Sequence, residues 1–310
     1  MNDSLIDLDI LVAGYPALKL FKNYPTELVH DVLSKIIRYE LNELLTDRVS
    51  RYHEQAKKIF STKRLELLNN ETVIEDWVEY MSIYRALDWA IVSMKIEDQA
   101  FVRNHVEIVS EVPYDNLLRN SNGNVLVAPH LGAYQAIPQI LGGFGYKIAS
   151  FMDAAAIPLW DELGTHYCPY SYEHVRLLGL PSQSATRTAI KELRSGSNLI
   201  LYPEFSLGVS ASEQDTLPFL GEEIYRVTGP SRIAHMTKKP IVPIHILKMS
   251  DYNYTLYVGH PIEVGDTESD VSDVTNQLTY WMENLIKEFP SQWWAWNIFD
   301  SLMVKQRSLV

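Results

Sequence analysis

The sequence predicts an α/β fold: a central mixed, mostly parallel sheet flanked by helices and preceded by a helical N-terminal region. Three observations carry this reading. Residues 1–115 hold long apolar patterns at helical spacing. From about residue 116, short β-rich runs alternate with helical segments. Between the two lies PYDNLLRNSNGN, a turn-rich stretch with Asn122-Gly123 just ahead of the first predicted strand. The organisation implied is a helical N-terminal region over 1–115 and an α/β domain over 116–310.

From Thr26 to Leu45 the residues Leu28, Val32, Leu33, Ile36, Ile37, Leu41 and Leu44 recur at helical spacing, behind Pro25 and an N-cap at Thr26. From Glu71 to Met94 a second pattern carries Val73, Trp77, Tyr80, Tyr84, Leu87, Ile91 and Met94. An aromatic stripe of this kind packs a core more often than it lines an apolar groove. The predicted strands are NVLVA at 124–128, YKIASF at 146–151, NLILY at 198–202, IVPIHIL at 241–247 and YTLYVG at 254–259. Helices are predicted between or after them at 133–142, 184–194, 222–237 and 269–289. The acidic patch from Asp266 to Asp273 reads as the solvated start of the last helix.

Composition bounds the function. Of 310 residues, 46% are hydrophobic and 21% charged, a globular mixture. A formal net charge of -12 argues against general nucleic-acid binding, which needs clustered Lys and Arg, and weakens adhesion to anionic lipid. The single cysteine, Cys168, excludes an internal disulfide and suits a reducing compartment. His166 and His174 lie near it, but no four-ligand metal spacing is present. MNDSLIDLDI lacks the basic and apolar regions of a signal peptide, and no run approaches the roughly 20 apolar residues of a membrane span. The expectation is a cytoplasmic protein, or one peripheral on the inner face of a membrane.

Chemistry gathers at the predicted strand ends. NVLVAPHLGAYQ delivers His130 to the C-terminal end of a buried strand, with a helix just beyond. Open α/β sheets bind ligands at that edge. His130 there can reach a substrate, or can cap the strand through a local hydrogen bond. LYPEFS brings Glu204 to the same edge, for catalysis or acceptor binding, or as an N-cap or ion-pair partner. LPFLG at 217–221 precedes a helix through Thr228, Gly229 and Arg232, and Arg232 could grip a phosphate or form a surface ion pair. Arg176, Arg187, Lys191 and Arg194 offer a basic face to an acidic carrier protein, or simply decorate a helix and its approach. The stretch from Gly208 to Ser212 lacks the last glycine of a nucleophile elbow.

HLGAYQ, LYPEFS and PIVPI resemble, in order and approximate spacing, three blocks of the glycerolipid acyltransferase superfamily: H-x4-D/E, an FPEGTRS-like block and a VP-containing strand. LPFLG and the tail from Pro290 to Trp296 draw the likeness toward the bacterial lipid A late acyltransferases and their phosphoinositol-mannoside relatives. It covers roughly residues 115 to 300. The resemblance implies acyl transfer from a thioester of coenzyme A or an acyl carrier protein to a hydroxyl or amine. It implies no metal or redox cofactor, only the thioester as co-substrate, and an acceptor that is a small molecule, a lipid or carrier-tethered. His130 becomes the general base. Tyr134, Pro203, Phe205, Ser206 and Arg232 become candidates for substrate binding.

Two departures qualify this. Position 135, which orients the histidine in the family, is Gln135, whose amide can accept a hydrogen bond but carries no charge. Glu204 is the candidate replacement for that charge. Leu207 stands where the FPEGTRS-like block has arginine, and Phe205 where it has glycine, which puts a glycerol-phosphate acceptor in doubt. The two together suggest an amine, or a hydroxyl on a non-phosphorylated or carrier-tethered molecule, and lead to the expectation that Gln135→Glu raises activity with a hydroxyl acceptor. The transferred group is a fatty acyl or an aminoacyl group. The competing readings are a pseudoenzyme that binds a carrier protein or lipid without turnover, and a thioesterase.

Overall fold

The computed structural model describes residues 21–304, apart from 44–45, 61, 69, 71, 120–121 and 205–214. Among the described residues the strands are β1 (Val106–Ser110), β2 (Val125–Val127), β3 (Ile148–Asp153), β4 (Val175–Leu180), β5 (Asn198–Leu201), β6 (Thr216–Phe219), β7 (Glu222–Tyr225), β8 (Ile241–Ser250) and β9 (Asn253–Val258). Seven form one sheet in the order β1-β9-β8-β2-β5-β3-β4, and β6-β7 is a separate antiparallel hairpin. Every neighbouring pair in the large sheet is parallel except β8 with β9. The predicted mixed, mostly parallel sheet is thus the observed one.

The central strands are apolar because both faces are covered. All of β2 and β5 is buried. Their side chains alternate between two cores. Leu126 and Ile200 join the leading helices, the helix Ile137–Gly143 and the C-terminal tail. Val125, Val127, Leu199 and Leu201 join the helices Ala185–Arg194, Gly229–Thr237 and Glu268–Glu288. The first core runs without a break from Val29, Trp77 and Leu87 to the sheet and on to Trp293.

The aromatic stripe predicted between 71 and 94 is core. Two helices, Val73–Glu79 and Arg85–Lys95, join through a π-helical turn over Tyr80–Tyr84, and the whole of Arg85–Lys95 is buried. Three local readings need correcting. Val106–Ser110 lies in the stretch that reads as helical, yet pairs with β9 as an edge strand. β4, the opposite edge, has too mixed a pattern to stand out. The helix expected over 222–237 is a strand followed by a shorter helix, Gly229–Thr237. A two-residue turn with positive φ at both Leu220 and Gly221 folds Glu222–Tyr225 back on β6. A leucine there gives no turn signal. Among the described residues no helix is long and apolar enough to cross a membrane.

Candidate active site

β2 and β5 are adjacent and parallel, with Val127 paired to Leu201. His130 and Glu204 each stand three positions beyond those partners, so matched extensions carry both side chains to one point on the carboxyl edge. There His130 Nδ1 lies 3.1 Å from Glu204 Oε2. The other carboxylate oxygen, Oε1, accepts the His130 backbone N–H at 2.7 Å and the Trp293 indole N–H at 3.0 Å. Glu204 is 4% exposed and His130 7%.

Burial alone pushes the Glu204 carboxyl up. The charge of His130 and the hydrogen bonds from its ring, its backbone and Trp293 outweigh that, and hold the carboxyl below its ordinary value. An ionised Glu204 can only accept, so Nδ1 carries the hydrogen, and in the neutral ring the lone pair then lies on Nε2. Among the described residues, Tyr202 at 4.2 Å, Tyr134 at 4.6 Å and Trp294 at 5.3 Å between centroids pack around the imidazole. Burial raises the Tyr202 phenol, which stays neutral.

The loop that carries His130 is clamped from two directions. Gly132 has φ 58°, and a Cβ there would lie 2.0 Å from the Ile246 carbonyl oxygen, so only glycine lets the loop sit this close to β8. Its carbonyl accepts the Tyr80 hydroxyl at 2.5 Å, from the π-helical turn. Its N–H donates to the Gln292 carbonyl at 2.9 Å, and the Trp294 N–H donates to the His130 carbonyl at 2.8 Å. Gln292 is itself anchored, its side-chain amide bonding both the N–H and the carbonyl of Lys248 at 3.1 Å.

A strand-borne histidine held by a buried carboxylate suits proton abstraction from an attacking nucleophile. A model of the bacterial lipid A biosynthesis acyltransferase family matches residues 71–297. The chain belongs to that family. The matched residues hold His130, Glu204 and Trp293, and begin two residues before the helix that supplies Trp77 and leads to Tyr80. Among solved structures, the 1-acyl-sn-glycerophosphate (LPA) acyltransferase PlsC from Thermotoga maritima is similar at 15% identity, over 77% of this chain and 99% of that one, with a TM-score of 0.36. Comparison with curated proteins finds no match.

Within this acyltransferase framework the predicted residues separate. Glu204 takes the place at Nδ1 that the resemblance gives to position 135. Gln135 is half-buried in the short 3-10 turn Tyr134–Ala136. Tyr134 packs on the His130 ring and Pro203 is buried between Tyr202 and Glu204. Arg232 is committed elsewhere, bonding Thr228 Oγ1 at 3.1 Å and pairing with Glu268 at 3.1 Å on the surface. Arg176 pairs with Glu192 at 2.6 Å. Phe205 and Ser206 lie outside the described residues, as do Leu207 and the stretch from Gly208 to Ser212. Among the described residues no cluster of His, Cys, Asp or Glu is placed to hold a metal.

Trp293, Trp294, Tyr202 and Tyr80 carry no signal in the sequence that by itself marks them as parts of the site. The signal available for the first two was the Pro290–Trp296 tail, which reads equally well as packing. Tyr202 and Tyr80 look like ordinary strand and helix aromatics until the fold packs Tyr202 on the His130 ring and bonds the Tyr80 hydroxyl to the Gly132 carbonyl.

Proposed function

We propose that this acyltransferase moves an acyl group from a coenzyme A or carrier-protein thioester to a hydroxyl or amine, with His130 as general base and Glu204 as its charged partner. The observation that carries the reading is the buried contact of 3.1 Å between Nδ1 and the Glu204 carboxylate. The acceptor's O–H or N–H gives its proton to His130 Nε2 as the oxygen or nitrogen attacks the thioester carbonyl. The tetrahedral intermediate collapses, the C–S bond breaks, and the departing thiolate takes the proton from the imidazolium. Glu204 stays ionised throughout and stabilises that cation. A positioned base of this kind contributes about 10²–10⁴-fold in rate.

The donor, the acceptor and the cytoplasmic or peripheral location all belong to this proposal. The case for an undemanding acceptor, built on the missing charge at position 135, loses its force, because Glu204 supplies a carboxylate to the same ring nitrogen. The absence of arginine at position 207 still favours an acceptor without a phosphate at that point.

The experiment is thiol release from a panel of coenzyme A and carrier-protein thioesters with pooled lipid and amine acceptors, products read by mass spectrometry. Wild type is expected to release thiol with a new acylated product, and His130→Ala to lose about 10²-fold or more. Equal release by both proteins would exclude His130 as the base. Release of free acid alone would replace the transferase reading with a thioesterase.

A further inference from the structure

We infer that Trp293, from the C-terminal segment, is a positioning residue for the reaction: its indole N–H fixes the Glu204 carboxylate so that Oε2 faces His130 Nδ1. An indole has a single donor. Trp293 is fully buried, and its donor goes to Glu204 Oε1 at 3.0 Å, from 89 residues further along the chain. Oε1 also accepts the His130 backbone N–H at 2.7 Å. Two donors on one oxygen set the plane of the carboxylate and leave the other oxygen, Oε2, opposite the imidazole.

The indole is itself fixed in place. Its backbone carbonyl accepts the Trp77 indole N–H at 3.1 Å. Its ring meets Trp296 edge-on at 4.8 Å and lies 5.9 Å from both Phe219 and Phe299. On the same segment, Gln292 and Trp294 bond the backbone of the His130 loop. The tail therefore holds both members of the pair. A tryptophan needed only to fill space would not have to aim its one donor at an otherwise buried charge. The donor also favours the ionised carboxylate, which the imidazolium needs beside it.

The inference rests on the proposed general-base reading for its kinetic consequence, but the hydrogen bond can be read without turnover. Trp293→Phe keeps a ring and removes the donor. Hydrogen bonds to charged groups support an expected kcat loss of roughly tenfold to hundredfold. KM is expected within about twofold of wild type, and the acid limb of the kcat profile is expected to move to higher pH, because a carboxylate that loses a donor protonates more readily. In a Glu204→Gln background the same change is expected to cost less than about twofold, since the group it positions no longer carries charge. Wild-type kcat and pH profile in Trp293→Phe, or an equal loss in both backgrounds, would overturn the inference.

Should Trp293→Phe not fold, or no thioester turn over, the indole N–H signals of the seven tryptophans in ¹⁵N-labelled wild type give an independent answer. One of them is expected to shift as Glu204 protonates in acid, and to lose that shift in Glu204→Gln. If none of the signals does so, the inference fails whatever the reaction.

Discussion

An imidazole ring presents one N–H when neutral, so whichever group holds Nδ1 decides the tautomer and the state of Nε2. In this protein a buried carboxylate holds it at 3.1 Å, so a negative charge lies beside the ring although position 135 carries none. Gly132, two residues on, is equally constrained by its carbonyl neighbour on β8. Gly132→Ala combines a left-handed backbone with a clash against backbone, and is expected to destabilise by at least about 2 kcal/mol. Urea denaturation would show this as a lower midpoint. A midpoint within error of wild type would mean that the loop lies further from Ile246.

At the scale of elements, the helix Arg85–Lys95 is buried along its whole length, charges included. Asp88 accepts from Lys248 Nζ at 2.8 Å and from the Tyr254 hydroxyl at 3.0 Å, tying this helix to β8 and β9. Burial raises the Asp88 carboxyl despite the opposing charge of Lys248. Lys248→Met leaves that carboxylate buried without its cation and is expected to cost about 3–5 kcal/mol at neutral pH. An acid whose folded pKa lies above its unfolded one destabilises the fold as pH rises between the two. The variant should therefore suffer least near pH 4 and most above neutrality, which stability curves at several pH values would test. A loss independent of pH would point to lost packing of the lysine stem instead.

For the molecule as a whole, the central sheet was readable in sequence because β2 and β5 are fully buried and therefore almost continuously apolar. The edges were not, since β1 and β4 alternate weakly, and β7 is created by a turn that puts a leucine at positive φ. His130 and Glu204 were visible as polar residues at strand ends. Their contact depends on the register Val127 to Leu201, a tertiary fact that local periodicity does not encode. Trp293 was less legible still, because an aromatic tail has the same composition whether it packs on the surface or completes a site. Helical region, sheet and tail meet at the His130 loop, where Glu204, and not position 135, supplies the charge beside His130. The most direct measurement compares single-turnover acyl transfer by Glu204→Gln and Gln135→Glu. A loss of about 10²-fold or more is expected for the first and no gain for the second. Near-normal turnover in Glu204→Gln together with a faster Gln135→Glu would contradict that role for Glu204.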